Sequence, residues 1–191
     1  MNNLTKAKLI VHIGFFLALI MAVCRPAAYA QKFSKVPVSP GDVAYFPASE
    51  PFEGKPAPLI RIAYFRPLKK GREVFGKMLP YGKVWRAGAN NETEIKFFKD
   101  ASVGGTSIPA GTYSVFIVPE EKEWTVIINK QTDRWGAYSY DDKLDVVKVK
   151  VPVKKTDAPL EAFSIMFNPS PAGASMLMGW DNSYVELPVN I

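Results

Sequence analysis

At 191 residues, with a formal net charge of +6, one cysteine and one histidine, the chain is long enough for one domain with a sizeable core and an appendage. His12, Cys24 and three of the 24 bases lie within the first 30 residues, so a chain cut after Ala30 carries +3 and has neither imidazole nor thiol. Such a product excludes Ser-His-Asp and Cys-His catalysis, zinc sites built on thiolate or imidazole, and disulfides.

The first 30 residues read as a secretory leader. Lys6 and Lys8 form its basic end, Leu9 to Val23 its apolar centre, and Ala28-Tyr29-Ala30 has the small-x-small pattern that a signal peptidase takes. The apolar run is shorter than the roughly 20 residues of a membrane span, and Gly14 interrupts it. Anchoring through a lipid on Cys24 is the rival reading, and it fits less well, because Val23 stands where Gly, Ala or Ser is expected. The sequence therefore leads us to expect an exported protein, periplasmic or extracellular, with no transmembrane segment once mature.

Residues 31–58 contain Pro37, Pro40, Pro47, Pro51, Pro56 and Pro58. That density excludes helix and central strand, and predicts an extended strap. Beyond it the pattern changes to short strands, the first at Leu59 to Tyr64 and the next at Thr93 to Phe98. Ser102-Val103 and Thr106 to Ile108 flank Gly104-Gly105, a two-residue hairpin signal. Thr112 to Val118 and Trp124 to Ile128 flank the polar turn at Glu120 to Glu123. Val146 to Val151 alternates with lysines, which predicts one wet face. Leu160 to Phe167, Ala174 to Trp180 and Tyr184 to Val189 complete the set. A short helix is expected only at Glu73 to Leu79. The resulting fold class is all-β: an antiparallel β-sandwich of about nine strands in a single domain over 59–191, behind a leader (1–30) and a Pro-rich segment (31–58).

From Tyr81-Gly82-Lys83-Val84-Trp85-Arg86-Ala87-Gly88-Ala89-Asn90 onward the chain resembles the family catalogued as domain of unknown function 2911, exported bacterial proteins. The likeness runs through Ile108-Pro109-Ala110-Gly111-Thr112-Tyr113-Ser114, Glu123-Trp124-Thr125-Val126-Ile127 and Trp135-Gly136-Ala137-Tyr138-Ser139-Tyr140-Asp141, and covers roughly residues 59 to 190. The resemblance implies a single β-sandwich behind an export signal and no established activity. Two departures stand out. The family usually has Glu directly after Gly-Ala-Asn, whereas here Asn91 intervenes before Glu92. The Pro-rich segment also stands in place of the family's usual first strand.

Gly71 to Lys77 has phosphate-loop spacing, but Met78 replaces the Ser/Thr that would hold magnesium, and Pro80 and Gly82 break the helix such a loop needs. Asp141 to Asp145 lacks the glycine turn and closing Glu of a calcium loop and reads as a solvated hairpin tip. The pairs Lys69-Lys70 and Lys154-Lys155 read as solvated. No Lys/Arg cluster is interleaved with aromatics, which argues against nucleic acid, and no cofactor or metal site is expected. The most informative stretch, Arg66 to Asn90, concentrates Arg66, Arg72, Tyr81, Trp85, Arg86 and Asn90. Arginine forks suit carboxylates and phosphates, and indoles and phenols give flat apolar platforms. With Trp135 and Tyr138, these residues are candidates for a pocket that takes a small anionic or carbohydrate ligand. The competing structural reading has Trp85 and Trp135 plugging the sandwich ends and Arg86 capping carbonyls or pairing with Glu92. A carboxylate hydrolase using two of Glu73, Glu92, Asp133 and Asp141 is a third reading. The expected function is a non-catalytic binding or assembly module; its protein partner, if any, stays undefined.

Overall fold

A computed structural model describes residues 37–47 and 57–191, together with Asn2 and Lys35. The leader and Cys24 lie outside the described residues. The chain divides into two units, 1–36 and 37–191, and every strand described belongs to the second.

Alternation of apolar and polar residues, broken by Gly and Pro, produces ten strands among the described residues. They are β1 (Gly41–Phe46), β2 (Ile60–Phe65), β3 (Thr93–Phe97), β4 (Ala101–Val103), β5 (Thr106–Ile108), β6 (Gly111–Pro119), β7 (Glu123–Asn129), β8 (Asp145–Pro152), β9 (Lys154–Ser170) and β10 (Gly173–Asn190). They form a six-stranded sheet in the order β1-β2-β3-β6-β7-β8 and a four-stranded sheet in the order β5-β4-β10-β9. All pairings between these strands are antiparallel, as the all-β sandwich expectation requires. The hairpin at Gly104 (φ 57°) and Gly105 (φ 88°) uses the left-handed backbone that only glycine adopts freely.

Two expectations need correcting. Within the Pro-rich stretch, Gly41–Phe46 is a strand, paired with β2 in register from Gly41↔Phe65 to Phe46↔Ile60. Pro40 and Pro47 bracket it without entering it, and it lies at a sheet edge, where missing donors cost least. The first strand that the sequence had suggested was missing is thus present, and the sandwich begins upstream of residue 59. Secondly, Glu73 to Leu79 is not helical. It is a series of turns around Gly76 (φ 83°), closed by a bridge between Phe75 and Leu79. At the exposed tip between β7 and β8, in keeping with the solvated tip read from the sequence, Asp142–Leu144 forms a single 3₁₀ turn, with Asp141 accepting from the Lys143 N–H at its start.

Strand β10 has sheet pairing along its length, yet its two ends lie side by side. The Ile191 N–H donates to Ala172 O at 3.0 Å, and a Cβ on Gly179 would stand 3.0 Å from Tyr184 Cβ. The chain therefore reverses near Asp181, which has φ 54°, and the two strand segments read in the sequence are the two limbs of this reversal.

The faces turned toward each other bury Ile60, Ile62, Ile95, Val115, Ile117, Trp124 and Val126 from one sheet against Phe163, Ile165, Met176, Met178, Leu187 and Val189 from the other. Burying that much apolar surface is the main driving force of the fold. Strand β6 is buried on both faces, because Phe116 on the outer side packs edge-on against Tyr140 at 5.1 Å from the loop after β7. Inside the sandwich, Tyr64 accepts the Ile165 N–H at 2.9 Å and donates to Asp42 at 3.0 Å.

Burial above all pushes the Tyr64 phenol up to about 12, with Asp42 adding to the shift. An unfolded phenol ionises near about pH 10. Folding therefore retains a proton that the unfolded chain gives up, and stability falls as pH rises between about 10 and 12, by up to roughly 1.4 kcal/mol per pH unit, and is flat in this respect below 10. Urea midpoints measured across that window should decline less steeply for Tyr64→Phe than for the unaltered chain.

Candidate functional site

The eight residues singled out in the sequence fall into three places. The first is scaffold. Arg66 donates from Nε to Phe163 O at 3.1 Å, from Nη1 to Asp42 at 3.2 Å and from Nη2 to Ser164 at 2.7 Å. A guanidinium so occupied ties β1, β2 and β9 together and has little left for a ligand. Tyr81 packs against Gly76, where a Cβ would meet its ring at 2.9 Å. Asn90 occupies a turn with φ 58°, a conformation that Asn tolerates well.

The second place is a cavity of about 440 Å³, lined by Pro67, Arg72, Leu79, Trp85, Arg86 and Trp180, among others. It is created by the segment between β2 and β3. That segment is stapled to β9 by Lys69 N–H to Glu161 O at 2.7 Å and Phe163 N–H to Pro67 O at 3.0 Å. It then crosses back so that Trp85 bridges Ile117 on β6. Trp85 is buried, stacks on Trp180 at 5.9 Å and meets Phe163 edge-on at 4.8 Å. Its indole N–H donates to Gly88 O at 3.0 Å. Arg72 is exposed and held in place by Nε to Lys69 O at 2.9 Å and Nη2 to Leu68 O at 2.6 Å. The cavity lining contains two arginines and no acid.

The third place lies on the outer face of the six-stranded sheet, at the loop between β7 and β8. There Asn91 bridges Trp135, the Arg134 N–H donates to Glu92 Oε1 at 2.7 Å, and the Glu92 N–H returns to Arg134 O at 3.2 Å. Trp135 is 62% exposed and Tyr138 84%. A Cβ on Gly136 would stand 2.7 Å from Arg86 Nη1 and 3.0 Å from the Tyr138 ring. The Arg86 guanidinium therefore belongs beside this loop, although the residue also lines the cavity. Its Nε and the Glu92 Oε2 are both buried without hydrogen-bond partners among the described residues. The two do not form an ion pair with each other; the six ion pairs among the described residues involve other groups.

A family model described as protein of unknown function (DUF2911) matches residues 53–189. The chain belongs to this family. No curated protein and no solved structure matches the chain. For this DUF2911 chain the displaced acid now has a position: Glu92 is 7% exposed and fastens the Trp135 loop to the start of β3. Below the same loop, Asn129 donates to Asp145 at 2.8 Å and Tyr140 donates to the other Asp145 oxygen at 2.7 Å. Burial and that carboxylate raise the Tyr140 phenol well above its ordinary value. Asp145 thus serves as an internal acceptor, and Asp141 to Leu144 stay exposed.

Sequence reasoning missed Trp180, which closes the back of the cavity, and Asp181 beside it. Each is reached only through the reversal of β10. Among the described residues no group of three or more His, Cys, Asp or Glu side chains could hold a metal ion, and no helix is long and apolar enough to cross a membrane.

Proposed function

We propose that the chain is an exported binding module that takes a small anionic molecule with an apolar body into the cavity behind Arg72. The carrying observation is the lining: the exposed Arg72 with no acid in the lining, beside the apolar surface of Trp85, Trp180, Leu79 and Pro67. A cavity of this size falls within the range of small-molecule sites. Arg72 is preorganised by its two carbonyl contacts, and its Nη1, without a partner among the described residues, can meet a carboxylate or phosphate oxygen in a bond strengthened by charge. A lining without acidic residues speaks against a hydrolase that works through two carboxylates. Export rests on the leader pattern of the first 30 residues.

Thermal-shift and calorimetric titration with aliphatic and aromatic carboxylates test the reading. Arg72→Ala should weaken binding by about ten- to a hundredfold, corresponding to loss of a charge-assisted hydrogen bond, and leave the unliganded melting midpoint nearly unchanged. If no carboxylate or phosphate ester raises the midpoint, the pocket reading falls. Mass spectrometry of the exported protein's N-terminus checks the cut after Ala30, and a diacylated Cys24 would show a lipid-anchored protein instead.

A second reading, a protein-interaction module, draws support from the outer face of the four-stranded sheet. Met166, 52% exposed, borders an open hollow of about 500 Å³ with Leu160, Leu177, Gly179 and Tyr184. Apolar surface of this kind marks interaction sites when it is extensive.

A further inference from the structure

We infer that the loop between β7 and β8 is a second binding site, a platform for a neutral saccharide, separate from the anion cavity. Three of the four tryptophans, Trp85, Trp124 and Trp180, are at most 8% exposed, whereas Trp135 is 62% exposed and Tyr138, three residues on, is 84% exposed. Two large exposed aromatic side chains three residues apart offer flat apolar faces with polar handles, the side chains enriched at interfaces. Their backbone is fixed from both sides. Asp133 (φ 60°) and Gly136 (φ 71°) take left-handed conformations around Arg134 and Trp135, and Glu92 grips Arg134 through two hydrogen bonds. A ring presented by such a loop loses little freedom on binding, which favours affinity.

The surroundings define the ligand. The loop that carries the rings has polar neighbours: Arg86 Nη1 and the Tyr138 ring both lie against Gly136, and Glu92 accepts the Arg134 N–H. A ligand must therefore offer an apolar flat face to the rings and a rim of hydroxyls to the polar groups, the two properties a pyranose combines. Arg86 and Glu92, the two charged side chains held beside the loop, are of opposite sign, so a charged ligand gains no net attraction from them. Arg86 Nη1 is a donor held beside the Tyr138 ring, and Gly136 leaves room for it, since a Cβ there would collide with that nitrogen.

Acrylamide quenching of tryptophan fluorescence in the full chain reads this site directly, because Trp135 is the accessible indole. Neutral hexasaccharides of glucose and of N-acetylglucosamine should be titrated beside oligogalacturonate, anionic vesicles and benzoate. A neutral saccharide is expected to shield Trp135. Calorimetry should then show a loss of at least about tenfold in affinity for Trp135→Ala and for Tyr138→Ala, as expected when an aromatic anchor is removed, with the melting midpoint of either variant unchanged. Arg72→Ala should leave saccharide binding intact, so failure here and failure of the anion cavity can be told apart. The inference is overturned if no neutral saccharide shields Trp135, if only the acidic saccharide, the vesicles or benzoate does so, or if Trp135→Ala binds as tightly as the unaltered chain.

Discussion

Lys69→Met is expected to destabilise the domain by roughly 3 kcal/mol, the lower end of the loss when one partner of a buried ion pair is removed. Lys69 Nζ contacts Asp181 Oδ1, and the two side chains are only 21% and 11% exposed. Without the ammonium, Asp181 is left as an uncompensated carboxylate at the reversal of β10, in a backbone conformation (φ 54°) that few residues other than Gly, Asn and Asp accept. The same lysine sits where the Arg66–Asn90 segment is stapled to β9, with its N–H on Glu161 O. Loss of the pair therefore loosens the rim of the cavity as well as the turn. Because natural domains have net stabilities of about 5–15 kcal/mol, urea unfolding followed by circular dichroism should resolve the loss easily. Adding Asp181→Asn to Lys69→Met should recover part of it, since Asn keeps the left-handed conformation and removes the unpaired charge. Lys154→Ala breaks an exposed pair with Glu186 and should barely move the midpoint. If Lys69→Met unfolds at the same urea concentration as the unaltered chain, the pair is not the anchor the geometry makes it.

The course of the strands was legible because one physical cause, burial of one face, writes itself into adjacent residues. Val146 to Val151 shows this: Val147 and Val151 are buried and Lys148 and Lys150 are exposed, and the sequence alone carries that alternation. Interactions between distant residues leave no such mark. Lys69 read as half of a solvated lysine pair, and its partner stands 112 residues away. The turn segment at Glu73 to Leu79 went wrong for a related reason. Its local spacing allowed a helix, but Phe75 packs on Trp124 at 4.7 Å between ring centroids, and Gly76 and Pro80 leave the chain free to bend to reach that contact. Strand β1 was hidden by prolines that flank it without entering it. For the site, the segment between β2 and β3 was correctly singled out by its density of Arg and Trp, yet its members divide between scaffold, cavity and outer face. Composition gives the materials of a site; only register and topology give the side of the sheet on which each side chain emerges.

Trp85 and Trp135 put that distinction to the test. In the sequence each is followed by a short Gly- and Ala-containing stretch, and the structural reading gave both the same plugging role. The structure gives that role to Trp85 alone. Trp85→Ala is expected to cost about 3–5 kcal/mol, the usual loss on truncating a large buried aromatic. Three contacts disappear together: the edge-on contact with Phe163 at 4.8 Å, the stack on Trp180 at 5.9 Å and the hydrogen bond to Gly88 O at 3.0 Å. Gly88 cannot follow the retreating side chain inward, because its Cα lies so close to β2 that a Cβ would stand 2.9 Å from Phe65 O. The cavity therefore stays open after the truncation. Trp85→Phe should recover much of the loss by keeping an aromatic ring and should still fall short of the unaltered chain, since the bond to Gly88 O is gone. Trp135→Ala, made in parallel, removes a ring that already faces water and should leave unfolding unchanged by circular dichroism. Equal losses in the two variants would mean that the Trp135 loop is part of the scaffold after all, and with that the case for a binding platform on the outer face would collapse.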